Sequence, residues 1–435
     1  MNIKRKSGAA ILAAAMVLCC GCGNSNNTTN KNKSNSDKTQ STASGVAFTV
    51  PQSTSQPNTS NEITYFGSQD ISAAAELFEK NTGCTVKTEK SGSNYVDALS
   101  EKISADNSPD LCDKVDNSFP YLISLNYYED LTNYIDTTSP QWTGLTDVID
   151  GYSFKGGRYF YPTTIKVMPQ FLIYIKTTYV QCQSPDPEKL WLKDEWTWDT
   201  FKRGANDVIG SITNSAGDLI CGDNIFDNFL ATTGEQIFPR KGNVFSNGLS
   251  SNKAERVSEL LSERKIINSS ISDANSEIQN VVFISGDEKT LAKLRQTDLA
   301  VGIVPFPRDD NSDKYYCKAV SEGFLVPKGA KNIKNAASFI NCSRIVSVSE
   351  EQREKDEKTL IDSGLLRSDA EWLETLRSSD KMTPILIDSN CFDDKANAAV
   401  RKMLSFTDNG TWEDVSKECS SEIDRAVENI NKVNE

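Results

Sequence analysis

Short runs rich in β-branched and aromatic residues alternate with longer amphipathic stretches after position 62. In the longer stretches, apolar residues recur at every third or fourth position. Short β-rich runs are typical of strands, and the three-to-four spacing is typical of helices. The pattern predicts strands at 63–66, 85–88 and 111–115, and helices at 71–80, around Tyr95, Leu99 and Ile103, and from Phe119 onward. Repeated β-α-β units predict an α/β architecture with a largely parallel sheet.

The carboxyl ends of these strands indicate where a ligand binds. In open α/β sheets, ligands lie in the crevice beyond the carboxyl ends of the parallel strands. Phe66 and Ser68 follow the first predicted strand, and Asp116 and Asn117 follow the third. We therefore expect these four residues on one rim of a binding crevice.

The N-terminus has the pattern of an export signal. Lys4, Arg5 and Lys6 precede the uncharged stretch 8–18, which is too short to span a bilayer. The stretch ends at Cys19-Cys20-Gly21-Cys22, which resembles the lipobox of bacterial lipoproteins. We predict a signal peptide at 1–21 and lipidation of Cys22, with Cys20 as the alternative. A cleaved signal without lipidation is the second alternative.

The next segment is predicted to be a disordered tether. Residues 23–60 are mostly Ser, Thr, Asn, Gln and Lys, with one short apolar stretch at 46–50. Such a segment buries too little apolar surface to offset the entropy of ordering it. We therefore expect 22–60 to be a lipidated cysteine followed by a flexible linker.

Composition excludes several functions. The roughly 375 residues that follow exceed the size at which one core keeps growing, so two lobes are expected. The net charge of -13 argues against nucleic acid as a partner. The chain contains no histidine, which excludes Ser-His-Asp and Cys-His catalysis and HExxH zinc sites. The acidic loop 309–313 lacks the later ligands of a calcium loop and is interpreted as a solvated turn. No metal or cofactor is expected.

Cysteine spacing leaves the state of the thiols open. Eight cysteines follow the signal region at widely separated positions. Their spacing does not define a disulfide pairing, and buried free thiols are an equally good interpretation. Near the C-terminus, Thr411 and Asp414 are placed to cap a helix whose apolar residues begin at Val415.

Eight segments, taken in order, resemble one known family. They lie at 63–67, 75–83, 99–111, 115–121, 152–162, 196–201, 301–307 and 323–330. The chain is similar to the family 1 extracellular solute-binding proteins, the maltose-binding-protein-like carbohydrate-binding lipoproteins of bacterial ABC importers. In that comparison, 152–162 resembles the hairpin before the first hinge, 301–307 the return hinge, and 323–330 the strand that rejoins the first lobe.

The resemblance implies a two-lobed periplasmic-binding-protein-like fold of type II, with hinge-joined lobes and a ligand cleft between them. Lobe one is expected at 61–168 and 305–350, and lobe two at 169–304 and 351–435. The region 215–250 is expected to supply loops from lobe two. The implied function is to capture a mono- or oligosaccharide and deliver it to an ABC transporter permease. We expect a monomer without enzymatic activity, held at the outer face of the bacterial cell membrane by its lipid anchor.

The rim residues have the chemistry that a sugar requires. A pyranose packs its C–H face on an aromatic ring, and its hydroxyl groups require hydrogen-bond partners. Phe66 is the first candidate platform, with a place in the core as its alternative. Asp116 and Asn117 are candidate hydroxyl partners, with an Asx turn before Ser118 as their alternative. Ser68 belongs to the same rim.

Other candidates lie nearer the predicted hinges and in lobe two. Tyr161 follows the hairpin and is a candidate for the cleft wall. Trp198 is a candidate contact from lobe two, although Thr197 is a good helix N-cap that would turn Trp198 into packing. Glu322 precedes the strand that rejoins lobe one and is a candidate partner for a pair of hydroxyl groups.

Two other functions remain open from sequence. One is a solute-binding lipoprotein for a non-sugar ligand, or a surface glycan binder that works without a permease. The other is a glycosidase, since two carboxylates about 5–10 Å apart are sufficient for that chemistry.

Overall fold

The computed structural model of the chain describes residues 61–92, 94–211, 218–263, 266–268, 278 and 281–434. The predicted signal peptide at 1–21, the lipidation site at Cys22 or Cys20, and the linker to residue 60 lie outside the described residues. These assignments stay predictions.

The described strands are numbered β1 to β15 in chain order. They are Glu62–Gly67, Thr85–Lys90, Leu111–Asp113, Ser153–Phe154, Gly157–Arg158, Tyr161–Val167, Phe171–Ile175, Asp218–Gly222, Arg240–Lys241, Val244–Phe245, Ile266–Asn268, Val281–Gly286, Val301–Val304, Tyr315–Leu325 and Met382–Leu386. The three strands predicted between 63 and 115 are confirmed as β1, β2 and β3.

The described α-helices are numbered α1 to α15 in the same way. They are Ser72–Thr82, Tyr95–Ser104, Thr146–Gly151, Lys176–Gln181, Pro187–Leu192, Trp198–Ser211, Ile225–Thr232, Asn252–Ser262, Glu288–Leu294, Ile333–Ser347, Glu350–Asp362, Arg367–Arg377, Asp394–Leu404, Phe406–Asn409 and Trp412–Asn434. The helices predicted around 71–80 and at Tyr95–Ile103 are confirmed as α1 and α2.

The first sheet contains the parallel strands that define the binding edge. Its strand order is β15-β14-β3-β1-β2, and β6 pairs with β14 beside this path. Strand β1 is parallel to β2 and β3, whereas β14 is antiparallel to β3. The carboxyl ends of β1, β2 and β3 therefore lie at one edge of the sheet, next to the middle of β14.

The second sheet is built from later residues. Its order is β11-β8-β12-β7-β13, with β11, β8 and β12 parallel and β7 antiparallel to both of its neighbours. All six described residues of β12 are buried, as expected for a central strand covered on both faces. The two sheets and their helices form the mixed α/β architecture that the alternating pattern predicted.

The chain passes between the two structures several times. Strand β6 belongs to the first sheet and β7 to the second, so 168–170 is the first crossover. The return runs from β13 in the second sheet to β14 in the first. Strand β15 then pairs in parallel with β14, although the sequence assigned 351–435 to lobe two. After β15 the chain continues into α13, which packs on α15 and contacts α7.

Arg377 holds the first crossover from a neighbouring helix. Its guanidinium donates to the carbonyl oxygens of Val167 (3.0 Å) and Met168 (3.1 Å). It also pairs with Glu288 at the start of α9 (2.5 Å), and Lys166 of β6 reaches the other carboxylate oxygen (3.2 Å). The pairs join β6, α9 and α12 at the point where the chain leaves the first sheet.

The eight cysteines after the signal region are free thiols in the structure. Seven are buried, and Cys182 is half-buried. Burial raises the pKa of several of them, including Cys317 to about 12, so these thiols stay protonated at neutral pH. In the part of the chain that the structure describes, no helix has the length and apolar character needed to cross a membrane.

We predict that the Glu288 pairs stabilise the fold in a pH-dependent way. Burial raises the pKa of Glu288, but the charges of Arg377 and Lys166 lower it by a larger amount. The folded-state pKa therefore lies below the ordinary value of 4.5. A depressed carboxyl pKa stabilises the fold above the unfolded-state pKa, and the stabilisation is lost as the pH falls through the folded-state value. Glu288→Gln should lower the free energy of unfolding at pH 7 by about 2 kcal/mol.

Denaturant unfolding at pH 7 and at pH 3.5 measures this effect. The difference in the free energy of unfolding between wild type and Glu288→Gln should be smaller at pH 3.5 than at pH 7. Glu374→Gln, on the exposed face of α12, is the matched control and should change stability by less than about 0.5 kcal/mol. An equal loss at both pH values would contradict the ion-pair explanation.

Candidate functional site

Two neighbouring cavities lie between the structures built on the two sheets. The larger, of about 1040 Å³, is called the acidic cavity. Its lining residues are Asn94, Tyr95, Val96, Asp97, Lys114, Val115, Asp116, Asn117, Tyr121, Leu122, Leu125, Tyr127, Lys318, Val320, Ser321, Glu322, Ile387, Asp388, Ser389, Asp393 and Asp394.

The second cavity, of about 890 Å³, is called the aromatic cavity. Its lining residues are Phe119, Pro120, Gly144, Leu145, Asp147, Val148, Asp150, Gly151, Tyr152, Ser153, Ile165, Gln236, Ile237, Phe238, Arg240, Gly242, Asn243, Phe245, Pro384, Ile385, Leu386, Asp388 and Cys391. Asp388 lines both cavities, so the two form neighbouring parts of one binding region.

The topology of the first sheet determines which residues reach this region. Strand β3 ends at Asp113, so 114–117 emerge at its carboxyl end. The middle of the antiparallel β14 passes the same edge and contributes four lining residues, Lys318, Val320, Ser321 and Glu322. Strand β15 ends at Leu386, and Asp388 lies in the segment that follows it. The site therefore lies beyond the carboxyl ends of the parallel strands, where α/β folds bind ligands.

A partly buried polar cluster connects these three elements. Lys114 Nζ donates to Asp388 Oδ1 (3.0 Å), and the Tyr152 hydroxyl donates to Asp388 Oδ2 (3.0 Å). The Tyr152 oxygen also lies 2.6 Å from Ser321 Oγ. Burial, together with the charge of Asp388, raises the pKa of Tyr152 well above its ordinary value. Tyr152 therefore stays protonated and serves as a hydrogen-bond donor.

A second cluster holds the loop after β3. The Asn117 N–H donates to the carbonyl of Asn390 (2.5 Å), and Asn390 Nδ2 donates to Asp116 Oδ2 (2.9 Å). Asn117 has φ = 58°, a left-handed conformation that Asn adopts more readily than most residues. Among the described residues, no donor reaches its buried Oδ1 atom. Within the described residues, that oxygen is an unpaired acceptor.

Aromatic rings form one wall of the aromatic cavity. Phe119 packs edge-on against Tyr152, with ring centroids 5.1 Å apart, and lies 5.8 Å from Phe245. Phe238 packs perpendicular to Phe392 at 4.5 Å. Phe119 and Tyr152 come from the structure around the first sheet, whereas Phe238 and Phe245 come from the hairpin region of the second. The wall is therefore assembled from both sides of the cavity.

Arg240 joins the two sides directly. It lies on β9, and β10 of the same hairpin is held to α15 by hydrogen bonds between Phe245 and Asn431. From there the guanidinium donates to the carbonyls of Gly151 (3.2 Å) and Ser153 (2.6 Å). It also stacks over the Phe245 ring at 5.3 Å. The structure thus has the two sides in contact across the aromatic cavity.

Three of the sequence-predicted site residues come together in the acidic cavity. Asp116 and Asn117 lie in the loop after β3, and Glu322 lies on β14 beside a register shift in its pairing with β6. The Asp116 and Glu322 side chains are exposed. Asn117 also precedes the helical turn Ser118–Leu122, but its side chain makes no cap hydrogen bond there.

Phe66 and Ser68 lie behind the acidic cavity rather than in its lining. Phe66 is 3% exposed and stacks on Tyr95 at 5.1 Å, so it supports a ring that does line the cavity. The Ser68 N–H donates to Asp113 Oδ2 (2.8 Å), which fixes the loop after β1. Ser68 is exposed but absent from both linings.

Tyr161 and Trp198 are packed in the interior. Tyr161 is fully buried, lies edge-on to Trp142, and its hydroxyl contacts the Leu131 carbonyl (3.4 Å). Trp198 begins α6, and its indole N–H donates to Thr232 Oγ1 (3.1 Å). These contacts satisfy both polar groups within the fold, which matches the packing alternative given for Trp198.

Sequence reasoning missed the residues at the centre of the site. Lys114, Tyr152 and Asp388 were not selected, nor were the rings of the aromatic wall. Lys114 directly follows β3 and Asp388 closely follows β15, so the strand-end rule was a usable signal for both. The expectation that 215–250 supplies loops agrees with the position of Gln236, whose Nε2 donates to the Leu386 carbonyl (3.1 Å).

The acidic loop at 309–313 is not arranged to bind a metal ion. Asp309 was expected in a solvated turn, but it is 2% exposed and pairs with both terminal nitrogens of Arg256. Within the described ranges, no group of three or more acidic or cysteine side chains is arranged to hold a metal ion. The site chemistry is therefore that of carboxylates, amides, hydroxyl groups and aromatic rings.

More than half of the chain matches one protein family. Residues 73–344 match the family described as bacterial extracellular solute-binding protein. The chain belongs to this family. A member of this family works outside the cytoplasm and binds solutes, and neither the family nor the similar structures are described as enzymes. A comparison with curated proteins found no match to the chain.

Solved structures of solute-binding proteins share the fold. The lacto-N-biose-binding protein of a Bifidobacterium longum ABC transporter has a TM-score of 0.58 and 13% identity, covering 86% of this chain and 99% of that one. A Listeria monocytogenes ABC substrate-binding protein in complex with cycloalternan has a TM-score of 0.54 and 16% identity, and the match covers 85% of this chain and 98% of that one. A Mycobacterium tuberculosis protein in complex with glycerophosphocholine has a TM-score of 0.53 and 14% identity, and the match covers 83% of this chain and 98% of that one. The solute-binding protein thus has the two-lobed periplasmic-binding-protein-like fold.

We predict that the Tyr152 hydroxyl stabilises the centre of the site. Tyr152→Phe removes the donor to Asp388 and leaves Ser321 without this partner. The free energy of unfolding should fall by about 1–2 kcal/mol, measured by denaturant titration without ligand.

Tyr134→Phe is the matched control, because Tyr134 is 40% exposed. It should change stability by less than about 0.5 kcal/mol. If the two variants lose the same stability, the hydrogen bonds of Tyr152 do not hold the site together.

Proposed function

We propose that this solute-binding protein captures a mono- or oligosaccharide between its two lobes and delivers it to the permease of an ABC transporter. The observation that carries the proposal is the pairing of an aromatic wall with a dense set of oxygen acceptors around Asp388. The solved relatives in complex with lacto-N-biose and cycloalternan support the same class of ligand.

The two cavities supply the two kinds of contact that a sugar needs. Phe119, Tyr152, Phe238 and Phe245 line the aromatic cavity, and their rings are the candidates to pack against the C–H face of a pyranose. Carboxylate and amide oxygens, including those of Asp116 and Asn117, accept hydrogen bonds from its hydroxyl groups. A buried polar group without a partner costs about 1–3 kcal/mol, so a sugar whose hydroxyl groups match this set is selected.

Closure couples binding to transport in this proposal. A ligand stabilises the closed arrangement only through contacts that it lacks in the open one. Arg240 and the aromatic wall supply contacts across the aromatic cavity, and a bound sugar adds its own to both sides. The closed form is then the form that the permease recognises.

The attachment of the protein to the cell follows from its N-terminal sequence. We propose export by the signal peptide at 1–21, lipidation of Cys22 or, alternatively, Cys20, and a flexible tether to residue 60. Two acyl chains give stable attachment where one binds only marginally. The folded part is proposed to act as a lipid-anchored monomer at the outer face of the cell membrane, without enzymatic activity.

A non-sugar solute is the second candidate function. The Mycobacterium tuberculosis relative in complex with glycerophosphocholine favours it, since that ligand is a polar headgroup rather than a glycan. Binding of glycerophosphocholine in preference to every sugar would favour this candidate.

We predict that a matching sugar raises the melting temperature and reduces the radius of gyration. A thermal-shift screen over mono- and oligosaccharides measures the first, and small-angle X-ray scattering of the hits measures the second. If neither quantity changes with any member of a broad glycan panel, the carbohydrate proposal fails.

We predict that Asp116→Ala lowers the affinity for such a sugar about tenfold, because an acceptor to its hydroxyl groups is lost. Isothermal titration calorimetry measures the change. Asp362→Ala, on the exposed helix α11, is the matched control and should bind as the wild type does. Unchanged affinity of Asp116→Ala would remove the acidic cavity from the binding site.

A further inference from the structure

The two cavities have a strong excess of negative charge. Together their linings contain eight carboxylate side chains and three basic side chains. Which ligands this excess favours depends on how many of these charges are already paired within the protein.

All three basic side chains are already engaged. Lys114 pairs with Asp388 at 3.0 Å. Lys318 is 8% exposed and pairs at 2.6 Å with Asp227, which is 1% exposed. The Arg240 guanidinium donates to main-chain carbonyls on the opposite side of the aromatic cavity. Within the described lining, no cation remains free to meet an anionic ligand.

Helix N-termini provide no anion site here either. Helix α13 begins at the acidic cavity, but Asp393 caps it by accepting from the N–H groups of Lys395 (3.1 Å) and Ala396 (3.0 Å). Helix α2 also begins there, and Asp97 lies in its first turn. In both helices a carboxylate already occupies the positive end of the helix dipole.

Several acceptors, by contrast, have no partner. No hydrogen bond or ion pair from the described residues reaches the exposed carboxylates of Asp97, Glu322 and Asp394. The buried Asn117 Oδ1 also lacks a donor. Burial and the charges of Asp393 and Asp394 raise the pKa of Tyr121, which lines the same cavity. The acidic cavity therefore offers the unpaired carboxylates of Asp97, Glu322 and Asp394 in a negative field.

We infer that the acidic cavity selects a carbohydrate that carries protonated amino groups, and that it rejects carbohydrates with carboxylate or phosphate groups. This inference rests on the proposed carbohydrate function. An ammonium group donates three hydrogen bonds. Its positive charge would give the unpaired carboxylates of Glu322 and Asp394 the partner that they lack in the protein. An anionic sugar would enter the same field without a free cation to pair with. The net charge of -13 attracts cationic ligands at longer range.

Calorimetry with matched disaccharides tests the inference on the full-length chain. The probes are a β-1,4-linked glucosamine dimer, its N-acetylated form, cellobiose, a galacturonate dimer and, as a cation without a sugar, spermidine. At pH 6 and low salt, the glucosamine dimer should bind at least tenfold more tightly than the two neutral dimers. The galacturonate dimer should show no binding. The preference should shrink as salt is raised from 20 to 300 mM, because salt screens the charges.

Two variants locate the effect. Glu322→Gln should weaken binding of the glucosamine dimer about fivefold more than binding of its N-acetylated form. Glu101→Gln, on the exposed face of α2 and outside both linings, is the matched control and should bind both dimers as the wild type does. The ligand-free melting temperature reports whether each variant is folded.

The outcomes separate this inference from the proposed function. If a neutral or anionic disaccharide binds as tightly as the glucosamine dimer, the charge preference is wrong while the carbohydrate function stands. If spermidine binds and no sugar does, or if nothing binds, both the inference and the carbohydrate function are overturned. Equal effects of Glu322→Gln on both dimers would also overturn the inference.

Discussion

The carboxylate of Asp388 is the contact on which the site depends. It accepts hydrogen bonds from Lys114 at the end of β3 and from Tyr152 beside the aromatic wall. These three residues come from segments that meet only when the first sheet is complete and β15 has paired with β14. Asp388 lines both cavities, so its bonds to Lys114 and Tyr152 lie where the acidic and aromatic cavities meet.

The crossovers explain why such a site forms between two sheets. Each crossover ends or begins at a strand that borders the binding edge, so the site includes residues far apart in sequence. Arg377 fixes the first crossover through the carbonyls of Val167 and Met168. Arg240 fixes the opposite side through the carbonyls of Gly151 and Ser153. Both arginines donate to main-chain oxygens. The contacts therefore depend on the path of the accepting backbone and not on the side chains of the accepting residues.

Local signals in the sequence were sufficient for much of the fold. Helices α1 and α2 follow from apolar spacing. The C-terminal helix α15 follows from its cap, since the Asp414 N–H donates to Thr411 Oγ1 (3.2 Å). The placement of β15 could not be obtained in this way. It is a short strand at the sheet edge and contains Pro384, which weakens any strand signal.

The site was only partly predictable for the same reason. Asp116, Asn117 and Glu322 were selected because they flank strands that the sequence indicates. Tyr161 was selected for its position near a hinge, but its burial depends on contacts with Trp142 and Leu131 that no local pattern encodes. The Lys114–Asp388 pair joins residues 274 positions apart, so neither residue predicts the other.

A crystal structure of the protein with a sugar identified by thermal shift tests the central claim most directly. We expect the sugar between the two sheets, with a ring against the aromatic wall and its polar groups within hydrogen-bond distance of Asp116 or Asn117. A sugar bound on the outer face of either sheet, with both cavities empty, would contradict the account.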